Sequence, residues 1–172
     1  MQPAIKLKHG WQLGLLWLMT LVTVAAYDTY KDSSDIYVVV WPPGSVNMQI
    51  KLPTPSSPLM DGSTSYSTPI LAAVQSWNSQ IGVVQLVAQI MPGEVYSSGN
   101  GINEIVIDTK ADDEEFSANT LALTLSYRQG NVRKEGDIVF NKAYTWDSYR
   151  GGLRNSPEDM QRVAIHELGH VL

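Results

Sequence analysis

The sequence predicts a mixed α/β or α+β domain in which helices pack on one mostly parallel sheet. Three observations predict it. Several short runs are rich in β-branched and apolar residues, two longer runs carry apolar residues at helical spacing, and the order is strands, helix, strands, helix.

The strands begin with "IYVVVW" (36–41) and "SVNMQIKL" (45–52), which flank the turn signal Pro42-Pro43-Gly44. In the second run Val46, Met48, Ile50 and Leu52 alternate with Asn47, Gln49 and Lys51, the pattern of a half-buried strand. "PTPSSPLMDGSTSYS" (53–67) is a loop by composition, and Thr68-Pro69 reads as the N-cap and first residue of a helix to about Gln80. Ile70, Leu71, Val74, Trp77 and Ile81 fall on one face of it, with Trp77 in the core.

"VVQLVAQI" (83–90) and "NEIVIDT" (103–109) read as strands joined through "SSGNG". The acidic run "ADDEEF" (111–116) matches no defined calcium loop and reads as a solvated loop, with Ca²⁺ binding the minor alternative. "TLALTLSY" (120–127) and "GDIVFN" (136–141) are two further strands around a polar hairpin loop, "RQGNVRKE" (128–135). "WDSYRGGLRN" (146–155) is a loop. Ser156 and Pro157 then suit the cap and first position of a last helix, and Glu158 and Asp159 complement its positive end. Met160, Val163, Ala164, Leu168 and Val171 form its apolar stripe.

The 172 residues suit one domain with a real core. A formal charge of −5 argues against nucleic-acid binding through a broad basic surface. The absence of cysteine excludes disulfides, thiolate metal sites and a cysteine nucleophile. Residues 1–26 have the layout of a secretory signal peptide: Lys6 and Lys8, an uncharged run from Trp11 to Ala26, and small residues at its close. That run is shorter than the ~20 residues that span a bilayer comfortably. Cleavage near Ala26–Tyr27 is expected, leaving a mature chain over 27–172, secreted to periplasm or exterior without stable membrane association. The loss of Lys6 and Lys8 takes the formal charge from −5 to −7.

The histidines are His9, His166 and His170, so histidine chemistry in the mature chain falls on the last helix. "HELGH" (166–170) is an H-E-x-x-H pattern. Two imidazoles four residues apart on a helix can both reach one Zn²⁺ at ~2.0–2.1 Å. Glu167 points from an adjacent direction, poorly placed as a ligand but able to take a proton from a water that the metal activates.

"VAIHELGHVL" (163–172) resembles the active-site helix of matrixin-like zinc metalloproteases of the metzincin clan, whose longer pattern is H-E-x-x-H-x-x-G-x-x-H. "EGDIVFNKAYTW" (135–146) is similar to the strand and loop before that helix, and "DGSTSYSTPILAAVQSWN" (61–78) to the loop and first helix of secreted bacterial members. "NTLALTLSY" (119–127) takes the place of the edge strand above the cleft. The resemblance implies a zincin-like twisted sheet of five strands with an edge strand over a zinc cleft. It also implies an extended peptide substrate paired with the backbone of Leu121, Ala122, Leu123 and Thr124, by β-augmentation. It makes His166 and His170 zinc ligands and Glu167 the general base of a secreted endopeptidase.

There are departures. The sequence ends at Leu172, before the family's glycine, third histidine and methionine turn, so a chain incomplete at its C-terminus and lacking that subdomain is expected. No cysteine is present for a cysteine switch. Val139 stands where many animal members place a histidine of a second zinc site, and Asn141 replaces an acid. The alternative is a non-catalytic, zincin-like binding or structural module.

Overall fold

The computed structural model describes residues 38–93 and 95–172. The expected leader, residues 1–26, lies outside the described residues, as does the polar stretch 27–35. The described residues form a mixed α/β structure: a mostly parallel sheet of five strands with two helices.

The first strand, β1 (Gly44–Ile50), keeps the predicted alternation, with Val46, Met48 and Ile50 buried and Leu52 buried just beyond it. It pairs in parallel with β2 (Val84–Ile90) on one side and β3 (Asn103–Asp108) on the other. After a short hairpin, β4 (Lys110–Ala111) and β5 (Glu114–Glu115), the chain forms β6 (Ala122–Gln129) and β7 (Val132–Asn141). β3 pairs in parallel with β7, and β7 pairs antiparallel with β6. The order β2-β1-β3-β7-β6 leaves β6 at one edge of the sheet.

Successive strand residues point to opposite faces, so the two faces differ. Met48, Ile50, Ile105, Ile138 and Phe140 face the helices α1 (Ser67–Asn78) and α2 (Met160–Val171). Ile70, Ala73 and Val74 of α1 and Met160, Ala164, Leu168 and Val171 of α2 complete that core. Burying each such large aliphatic side chain contributes ~1.5–3 kcal/mol. The opposite face carries a smaller apolar cluster, Val106, Ala111 and Val139, backed by Tyr96, Phe116 and Leu125.

Gly136 sits where β7 meets the end of α2. A Cβ there would lie 3.4 Å from Val171 Cγ1 and 3.6 Å from Trp41 Cζ2, at ordinary van der Waals contact with both side chains.

Several local expectations are corrected. Helix α1 begins at Ser67, with Tyr66 at the N-cap and no side-chain cap, so Thr68 lies inside the helix. Leu71 is exposed and Ala73 takes the buried position, because the core-facing stripe runs through Ile70, Ala73 and Val74. The hairpin loop shrinks to Gly130-Asn131: Gln129 pairs with Val132, and Gly130 adopts φ 61° to turn the chain. "RQ" and "VRKE" therefore lie in strands. "ADDEEF" contributes the small β4–β5 hairpin with Asp112 at φ 57° rather than an open loop.

Ser156-Pro157 is a cis peptide before α2 and not its first turn. Glu158–Asp159 (β9) instead pairs in parallel with Trp146–Asp147 (β8), and the Asp159 carboxylate caps α2 by accepting from Gln161 N at 3.0 Å and Arg162 N at 3.4 Å.

Candidate metal centre and cleft

Helix α2 is held at three places. Its start is capped by Asp159. Near its middle, Trp77 of α1 donates its indole N–H to Ile165 O at 2.7 Å. At its end, the buried Arg133 guanidinium on β7 donates from Nη1 to the carbonyls of His170 and, at 2.6 Å, Val171. Trp41 Nε1 adds a further bond to Val171 O at 2.6 Å. Carbonyls that end a helix lack intrahelical partners, and a cation there also meets the negative end of the helix dipole.

The helix so fixed turns both histidines outward. His166 and His170 are exposed, and their Nε2 atoms lie 3.2 Å apart, with the rings at 82° to one another. At that separation one ring can hydrogen-bond the other. The same spacing also matches the edge of a tetrahedron around a zinc ion, about 3.3 Å for bonds of ~2.0–2.1 Å. The donor set therefore fits two imidazole ligands of one ion. Among the described residues, no group of three or more His, Cys, Asp or Glu side chains is arranged to hold a metal.

Glu167 points from the other side of this pair. It is buried between α2 and β6, and its Oε2 accepts the Thr124 hydroxyl at 2.7 Å, with its own carbonyl 3.1 Å from the same oxygen. It still lines the cleft, a space of about 740 Å³ that His166, His170, Leu123 and Thr124 share with it.

β6 places Ala122, Leu123 and Thr124 of the expected substrate strand along that cleft. Ala122 and Thr124 stand opposite Phe140 and Ile138 on the helix face, whereas Leu123, 37 % exposed, stands opposite Val139 on the other face. Leu121 precedes the strand, and its carbonyl accepts from Asn141 N at 2.8 Å. Val139 is a buried apolar residue of the smaller cluster. The Asn141 side chain bridges the segment before β6 and the loop after β7, donating to Thr120 O at 2.9 Å and accepting from Ala143 N at 2.9 Å.

Two contributors escape a motif-based reading of the sequence. Arg133 lies in the segment expected to be a loop. The side chain of Thr124, in a stretch expected to act through its backbone, holds Glu167. Strand alternation carries the signal for Thr124, since even-numbered residues of β6 share the helix face, whereas Arg133 pairs with Arg128 only beyond the register shift at Tyr127/Arg128, which alternation does not show.

No protein-family profile, curated protein or solved structure matches the chain significantly. Among the described residues, no helix is long and apolar enough to cross a membrane.

Proposed function

We propose that the protein is a secreted, matrixin-like zinc endopeptidase of zincin-like architecture. The observation that carries this reading is the 3.2 Å convergence of His166 and His170 Nε2 in a cleft bordered by the edge strand β6. In this reading the two imidazoles hold one Zn²⁺, and a third protein ligand comes from outside the described residues. A zinc ion so held supplies Lewis acidity and lowers the pKa of water toward ~7.

The chain's own residues supply the rest. The Thr124 hydroxyl orients the Glu167 carboxylate, which takes the proton of the attacking water. The low exposure of that carboxylate reduces competition from bulk solvent. The open edge of β6 offers backbone N–H and C=O groups to an extended peptide, which sets the scissile bond beside the histidines. Leu123 lies beside that path.

Reading the encoding DNA beyond Leu172 is the first test, and a continuation containing Gly-x-x-His is expected. In the protein with that continuation, Glu167→Gln is expected to retain zinc and lose peptide hydrolysis by ~10²–10⁴-fold. Retained hydrolysis in that variant removes Glu167 from the mechanism. The second reading is a non-catalytic zincin-like binding or structural module. A stop codon after Leu172 supports it.

A further inference from the structure

On the sheet face away from the helices, three acids are buried together. Glu104 and Asp137 are 0 % exposed and Glu135 is 1 % exposed. Acidic side chains are seldom fully buried unless paired, and in this group Lys51 Nζ binds Glu104 Oε1. The remaining acceptors hold down the strap Val95–Ile102. Glu104 Oε2 accepts from Ser97 N at 3.0 Å, Glu135 Oε1 accepts from Gly99 N at 2.6 Å, and Glu135 Oε2 accepts from Gly101 N. Lys51 Nζ also donates to Val95 O at 3.0 Å. These buried charges thus fasten the strap at Val95, Ser97, Gly99 and Gly101, and Ser98 Oγ adds a bond to Asp112 Oδ1.

Asp137 sits between the two glutamates. Its Oδ1 accepts from Glu104 N at 2.9 Å, while its Oδ2 is buried without a hydrogen-bond partner. The Tyr96 hydroxyl is buried and unpartnered as well, and Tyr127 of β6 and Asp112 of the β4–β5 turn complete the titratable groups around it. Three ionised acids beside one ammonium, all out of water, would repel one another strongly, and the inexpensive relief is for one acid to keep its proton.

We propose that Asp137 is a protonated latch: while neutral it lets Glu104 and Glu135 hold the strap Val95–Ile102 on the sheet, and its ionisation loosens the strap. The direction of its titration agrees. Burial pushes the Asp137 carboxyl up, the Glu104 N–H pulls it back, and Glu135 and the Glu104 charge push it up again, to about 8. Loosening also withdraws the strap from β6, because a Cβ at Gly99 would lie 3.6 Å from the Tyr127 ring. The latch is independent of the metal centre, since α2 lies on the opposite face.

The test is amide hydrogen exchange of the full chain at pH 5 and pH 8.5, corrected for intrinsic exchange and read at Val95–Ile102. The strap is expected to lose protection at least tenfold at the higher pH, and Asp137→Asn is expected to remove most of that change. Equal protection at both pH values, or the same loss in the variant, overturns the latch. Should the variant not fold, the ¹³C carboxyl shift of Asp137 in the unaltered protein decides. A midpoint near 8 supports the latch, and a midpoint in the ordinary carboxyl range overturns it.

Discussion

The Thr124 hydroxyl donates to Glu167 Oε2 at 2.7 Å and so ties the edge strand to the middle of the helix that bears both histidines. A buried hydrogen bond of this kind contributes ~0.5–1.5 kcal/mol between neutral groups and ~1.5–3 kcal/mol to a charged one. Thr124→Val keeps the shape and removes the donor. It is expected to cost ~1–3 kcal/mol in urea unfolding, with Thr124→Ser recovering most of the loss. An unchanged midpoint in the valine variant would mean that the bond contributes no net stability.

The far end of the same helix depends on Arg133, whose guanidinium meets the carbonyls of His170 and Val171. Arg133→Met keeps much of the aliphatic bulk and leaves those carbonyls without their cation. A loss of ~2–3 kcal/mol is expected, with faster amide exchange confined first to the last turn of α2. Uniform loss of protection across the domain would argue against a local capping role.

At the front of α2 two residues compete for the cap, and the structure favours Asp159. Asp159→Ala is expected to lower stability by ~1 kcal/mol, while Ser156→Ala stays within about 0.5 kcal/mol. Thermal unfolding of the two variants side by side checks this. The reverse ranking would restore Ser156 as the cap.

The sequence shows where these elements run more clearly than where they begin. Alternation at Val46, Met48, Ile50 and Leu52 marks β1 because one face must be buried, and the α2 stripe of Met160, Ala164, Leu168 and Val171 follows from helical period. The start of α2 is hidden because Glu158–Asp159 is drawn into pairing with Trp146–Asp147, a contact between residues distant in sequence. Leu71 was expected to face the core from its apolar character, yet the smaller Ala73 fits between α1 and the sheet.

The two histidines are legible as a pair because a helix fixes their spacing locally. Their 3.2 Å approach and the Thr124 bond depend on rotamers and strand register that spacing alone does not set. Buried Glu104, Glu135 and Asp137 look like ordinary strand acids in "NEIVID" and "EGDIVF". Only the strap folding over them reveals their burial.

Asp137 also makes a global prediction. Its value in the folded protein, about 8, lies above the 3.8 of an unperturbed carboxyl, so the folded state binds the extra proton between those values. Its contribution to stability is therefore full below about pH 4, declines as pH rises, and is gone above about pH 8. In urea unfolding at pH 5 and pH 8.5, the stability difference between the unaltered protein and Asp137→Asn is expected to shift toward the variant at the higher pH. A constant difference would mean that Asp137 titrates alike in both states.

The most direct measurement of the central claim is calorimetric titration of the protein with Zn²⁺ at pH 7.5, beside the variant with both His166→Ala and His170→Ala. One zinc per chain is expected for the unaltered protein, bound at least 100-fold more tightly than by the double variant. Equal binding by the two proteins, or no uptake at the unaltered pair, would contradict the assignment of these imidazoles as zinc ligands.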